Sequence, residues 1–93
     1  MFVHLSIHRP RPGAEGALID SMHRFGDALG SAPGLISVRT LRDESAGVLV
    51  GMALWSSQES MQASIHLARE AIANDPFDEW ESQETESYRL SEV

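Results

Sequence analysis

The chain contains no cysteine, and that absence removes disulfide staples, thiolate zinc sites, iron–sulfur ligation and thiol nucleophiles together. It contains no lysine either: its seven basic residues are all arginine, scattered along the sequence against fourteen Asp and Glu. The net charge of −7 repels phosphate backbones, so nucleic acid is not an expected partner. No apolar run approaches the roughly 20 residues that cross a bilayer, and no membrane span is expected. The start of the chain does not read as a secretory signal. Its short run Phe2 to Ile7 is broken by His4 and Ser6, and Arg9 and Arg11 follow it instead of preceding it. A cytoplasmic protein is expected. Missing too are solenoid repeats, low-complexity segments and any linker long enough to divide the chain, so residues 1–93 read as a single domain. No glycine pattern suggests a phosphate cradle or dinucleotide fold, and no serine has a nucleophile-elbow context.

What is present is a sequence of short periodic segments. Phe2 to His8 alternates with period two, placing Val3, Leu5 and Ile7 on one face of a strand and Phe2, His4, Ser6 and His8 on the other. Pro10, Pro12 and Gly13 end it. From Ala14 to Leu29 the residues Leu18, Met22, Phe25 and Leu29 recur at helical spacing, and Gly30 to Gly34 stop the helix. Leu35 to Leu41 predicts a second strand, Arg42 to Gly47 a polar turn, and Val48 to Trp55 a third strand that is apolar on both faces. Ser56-Ser57-Gln58-Glu59 has the form of a capping box for a second helix, whose stripe is Met61, Ile65, Ala68 and Ile72 and which Asn74-Asp75-Pro76 ends. Phe77 to Trp80 reads as a short helical fragment, and Glu84 to Leu90 as a polar edge strand. Acids gather after Asp75, including Asp78, Glu79, Glu81 and Glu84, and this run reads as solvated surface.

The order β-α-β-β-α-β predicts an α+β, ferredoxin-like domain: a four-stranded antiparallel sheet with two helices on one face. Helices then cover half of a sheet whose other face carries Val3, Leu5 and Ile7. A second copy of the chain is the economical cover, so a homodimer is expected.

The chain also resembles the antibiotic biosynthesis monooxygenase family of dimeric α/β barrels. The likeness is carried by Arg11-Pro12-Gly13-Ala14-Glu15 after the opening strand, Ala32-Pro33-Gly34-Leu35 before the second, and Ala53 to Met61 across the third strand and helix cap. The resemblance implies a dimeric barrel with one pocket per subunit between sheet and helices. It implies a monooxygenase acting on an electron-rich anthrone-like or quinol-like small aromatic molecule, with no cofactor, neither metal nor flavin. Where the family's haem-degrading branch uses asparagine, tryptophan and histidine, this chain has Ser6, Ser64 and Asn74, so haem degradation is not implied. A non-catalytic ligand-binding or interaction module on the same barrel is the alternative.

Chemistry then rests on few residues. His4 and His8 flank Ser6, which matches the family's pocket-facing position, and either imidazole can serve as general base for a phenol. His4 is the best single candidate, since His8 borders the turn and is expected to be more exposed. Two histidines with no suitably spaced carboxylate do not make a metal site. Met22, Phe25, Met61 and Ile65 face inward from the helices as core or pocket wall, and Trp55 as packing or a stacking surface with its indole N–H bonded nearby. His23 and His66 turn away from the core. Arg39 and Tyr88 lie on strands whose facing depends on register.

Overall fold

The computed structural model covers residues 1–93. Its elements are β1 (Phe2–His8), α1 (Glu15–Leu29), β2 (Leu35–Asp43), β3 (Val48–Trp55), α2 (Gln58–Ala71), the single turn α3 (Phe77–Trp80) and β4 (Glu86–Ser91). The strands pair antiparallel in the order β2-β3-β1-β4, the ferredoxin-like arrangement, with β2 and β4 at the edges. No helix is long and apolar enough to cross a membrane.

Three boundaries differ from the sequence reading, each for a local reason. β2 runs on to Asp43 because that side chain organises the turn: its Oδ1 accepts from Ser45 Oγ and from the Ala46 amide, and Gly47 at φ 67° closes the loop. Ser57 caps α2 in place of the expected Ser56–Glu59 box, with its Oγ accepting from the Ser60 amide at 3.2 Å. β4 starts at Glu86, two residues late, because Thr85 sends its hydroxyl to the Glu81 carboxylate.

The helix-facing rows of β1 and β3 explain the interior. In register, Phe2 lies opposite Trp55, His4 opposite Ala53, Ser6 opposite Gly51 and His8 opposite Leu49. Large side chains therefore meet at the ends of the rows and small ones in the middle. One end forms a core of Phe2, Leu29, Ala53, Trp55, Met61, Ile65 and Ala68; a second cluster joins Leu18, Met22 and Leu49. Trp55 is fully buried, but its indole nitrogen finds no acceptor, contrary to the expected hydrogen bond. Leaving such a group unpaired costs about 1–3 kcal/mol, which the burial of so large a ring offsets.

Beyond α2 the chain is tied back to α1. Asp75 accepts from Ser21 Oγ at 2.6 Å and from Arg24 at 2.8 Å, while Arg24 also donates to the Ala71 carbonyl. At the other end of α2, Gly34 (φ 85°) carries the chain into β2 against the cap, where an added Cβ would lie 2.8 Å from Ser56 Oγ and closer still to Ser60. Gly34→Ala combines a left-handed backbone with that clash and is expected to cost about 1–3 kcal/mol. Thermal melts should then fall by roughly 5–20 °C for a domain of this size. An unchanged melting temperature would show that the junction relaxes freely.

Candidate functional site

Small side chains in the middle of the sheet leave a cavity of about 240 Å³ between it and the helices. Its floor is the row His4, Ser6 and His8 with Gly51 and Ala53, and its walls include Met22 and Phe25 of α1, Val38 and Thr40 of β2, and Ile72 and Phe77 beyond the body of α2. Gly51 is required here by space: a Cβ on it would come within 2.7 Å of Ser6 Oγ.

The polar end of the floor is a continuous hydrogen-bonded chain. Ser6 Oγ lies 3.0 Å from His8 Nε2, His8 Nδ1 lies 3.0 Å from Glu81 Oε1, and Thr85 Oγ1 donates to Glu81 Oε2 at 2.6 Å. Both carboxylate oxygens accept, so Nδ1 carries the imidazole proton and Nε2 accepts from the Ser6 hydroxyl. Glu81, 4% exposed, is brought to β1 by the segment after α3. Arg11 N–H donates to the Trp80 carbonyl, Ser82 N–H donates to the Arg9 carbonyl, and Pro10 faces Glu81 in an isolated bridge. Phe77 lies over His8 at 6.4 Å between ring centroids, with Trp80 edge-on to Phe77 at 5.8 Å.

His8 is thus buried, not the exposed strand end expected from its place beside the turn. Glu81 is likewise not part of a solvated acidic surface. Its position directly after Trp80 was the one available hint, because an apolar residue there points the short fragment inward. His4 also lines the cavity; it is half-buried, tilted against Phe25 at 6.4 Å, and has no hydrogen-bonding side-chain partner. Of the other expected pocket residues, Ser6, Met22 and Phe25 line the cavity, whereas Trp55, Met61 and Ile65 are packed into the core and do not. The row had no way to announce that split, since all six share the inward face. His23 and His66 are exposed, as expected. Register now fixes two facings: Arg39 pairs with Met52 and Tyr88 with Leu5, which puts both on the open face of the sheet, although Arg39 also borders the cavity.

Burial holds both imidazoles below their ordinary value of 6.5. At His4 the positive charges of Arg69 and Arg89 add to that effect; at His8 Glu81 opposes it through charge and hydrogen bond. His8 is therefore neutral at neutral pH, and its contact with Glu81 is a hydrogen bond to a carboxylate and not an ion pair.

No protein-family model matches the chain, and no curated protein does. Solved structures do. A Mycobacterium tuberculosis protein superposes with a TM-score of 0.83 at 16% identity, covering 99% of this chain and 94% of its own. A solved antibiotic biosynthesis monooxygenase gives a TM-score of 0.76 at 14% identity, covering 100% and 99% of the two chains. A Chloroflexus aurantiacus protein assigned to the same group gives 0.68 at 22% identity, covering 99% and 94%. The chain has the antibiotic biosynthesis monooxygenase fold. Likeness at these identities establishes the fold of the monooxygenases and leaves the chemistry to the residues of the cavity.

The two depressed imidazoles make stability depend on pH with a definite sign. Around pH 6.5 the unfolded chain takes up protons that the folded chain resists, so stability is complete only well above that value and falls as pH drops through it. Urea midpoints should decline between about pH 7.5 and pH 5.5. His4→Asn should flatten this decline, and an equal slope in the variant would remove His4 as a source.

Proposed function

We propose that the chain is a cofactor-independent monooxygenase acting on a small electron-rich aromatic, with the Ser6–His8–Glu81 chain as its proton acceptor. The supporting observation is that chain itself, ending at a hydroxyl on the cavity floor with an unprotonated imidazole nitrogen behind it. A substrate hydroxyl or enol donates to Ser6 Oγ as Ser6 passes its own proton to His8 Nε2. Glu81 then faces the imidazolium so formed, which stabilises it and holds the ring in place.

The deprotonated ring is rich enough in electrons to reduce dioxygen directly. Carbon bonds to one oxygen atom to give a peroxide, and loss of the remaining proton at that carbon breaks the O–O bond. For a ring CH₂ the product is a ketone and the second oxygen leaves as water, the substrate supplying all four electrons. The cavity's volume of about 240 Å³ lies below the usual range of roughly 300–1,000 Å³, which favours one or two rings over the three of an anthrone. His4, without an orienting partner, is assigned to contact with the substrate in place of the role of base. Oxygen uptake with a panel of quinols and naphthols tests the reading. Ser6→Ala and His8→Ala should each slow turnover by about 10²-fold or more, with His4→Ala slowed far less. The reverse pattern would move the base to His4, and no uptake with any of the panel would remove the reading.

The assembly belongs to the same proposal. By strand alternation the open face of the sheet presents Val3, Leu5 and Ile7 with Val50, Met52 and Leu54, and Leu41, Tyr88 and Leu90 beside them are 44–46% exposed. A twofold partner laying the same face against it would complete a barrel. Sedimentation should give the mass of two chains at micromolar concentration, and Leu5→Arg should give one. A folded wild-type monomer would count against the pairing.

A further inference from the structure

None of the chain's fourteen acidic residues lines the cavity. Glu81 comes nearest in role, but it stands behind His8 with both oxygens already accepting hydrogen bonds. The opposite end of the floor, at His4, is positive. Arg69, in the last turn of α2, is part of the cavity wall. Arg89 is not part of that lining, but it stands directly opposite His4 in the β1–β4 ladder, on the same side of the sheet as Ser87, which lines the cavity. The field of both guanidinium groups reaches the His4 imidazole.

Three of the chain's seven arginines are held by acids. Arg9 pairs with Glu86, Arg24 with Asp20 and Asp75, and Arg42 with Glu15. Arg11, Arg39, Arg69 and Arg89 have no acidic partner, although the chain has twice as many acids as bases, and of these four Arg69 and Arg89 are the two whose charge acts on His4. A guanidinium beside an apolar cavity is best matched by a planar anion that accepts two parallel hydrogen bonds. Phe25, Met22 and Val38 supply the apolar surface next to it.

We infer that the cavity takes an aromatic carboxylate, its ring against Phe25 and Met22 and its carboxylate between Arg69 and Arg89 beside His4. The aromatic ring is shared with the oxygenase reading and rests on it; the acid group is argued from the two arginines alone. A carboxylate there leaves a neighbouring ring hydroxyl free to reach Ser6. One chain of groups then takes the proton while the arginines fix the ring.

Calorimetric titration under nitrogen tests this without turnover, using 2-naphthol, 2-naphthoate and 3-hydroxy-2-naphthoate as a matched set. 3-Hydroxy-2-naphthoate should bind at least about tenfold more tightly than 2-naphthol, as hydrogen bonds to charged groups predict. The preference should shrink as salt is raised and vanish in an Arg69→Gln, Arg89→Gln double variant that still binds 2-naphthol. Equal affinities, a preference that survives the double substitution, or no binding of any of the three would overturn the inference. Oxygen uptake separates it from the oxygenase reading. Arginine-dependent binding of acids that are never oxidised would leave this inference standing and sink the other. Oxidation of neutral quinols with no preference for acids would do the opposite.

Discussion

The site depends on one buried carboxylate. Taking Glu81 out of water costs several kcal/mol unless its oxygens are satisfied, and in this fold they are satisfied by groups from two directions, His8 at the end of β1 and Thr85 just before β4. Those bonds are what the segment between α3 and β4 gains by folding onto β1. They also select the imidazole tautomer, and the tautomer decides that Ser6 donates toward His8 with its lone pairs left for a ligand. The same contact therefore closes the domain and sets the direction in which a proton can travel.

The second constraint is steric. A protein interior packs to the density of an organic crystal, so a cavity persists only where side chains are too small to fill it. Ser6 opposite Gly51, with Ala53 beside them, makes that deficit in the middle of a sheet whose ends are filled by Trp55 and Leu49. The cavity is thus written into the volumes of a few residues on two central strands, with the helices supplying its roof.

Much of the fold was legible because it is carried by periodicity. The alternation of β1, the two-sided apolar β3 and the inward stripe of α1 each named an element and a facing, and together they left one topology. The site was only half legible. Ser6, Met22 and Phe25 could be placed on inward faces, but nothing in the sequence separates them from Trp55, Met61 and Ile65. Which inward residue meets a gap and which meets another side chain depends on pairing across strands, a relation of register. Glu81 was hidden for a different reason: it lies 73 residues from His8 inside an acidic run. Its burial follows from backbone bonds between residues 9–11 and 80–82 that no local pattern encodes.

Two histidines on one strand face, four residues apart, end in opposite surroundings, and this contrast ties the chemistry to the fold. Both are neutral through burial, so neither is distinguished by charge alone. His8 has a carboxylate behind it that will stabilise a positive ring, and that makes it able to accept a proton. His4 has two arginines near it that oppose such a charge, so accepting a proton there is unfavourable until an anion arrives. A single row of side chains thus offers a ligand a basic end and an anion-seeking end, with Ser6 between them. A molecule that carries both an acidic hydroxyl and a carboxylate on one small ring system satisfies both ends at once, which a neutral phenol does not.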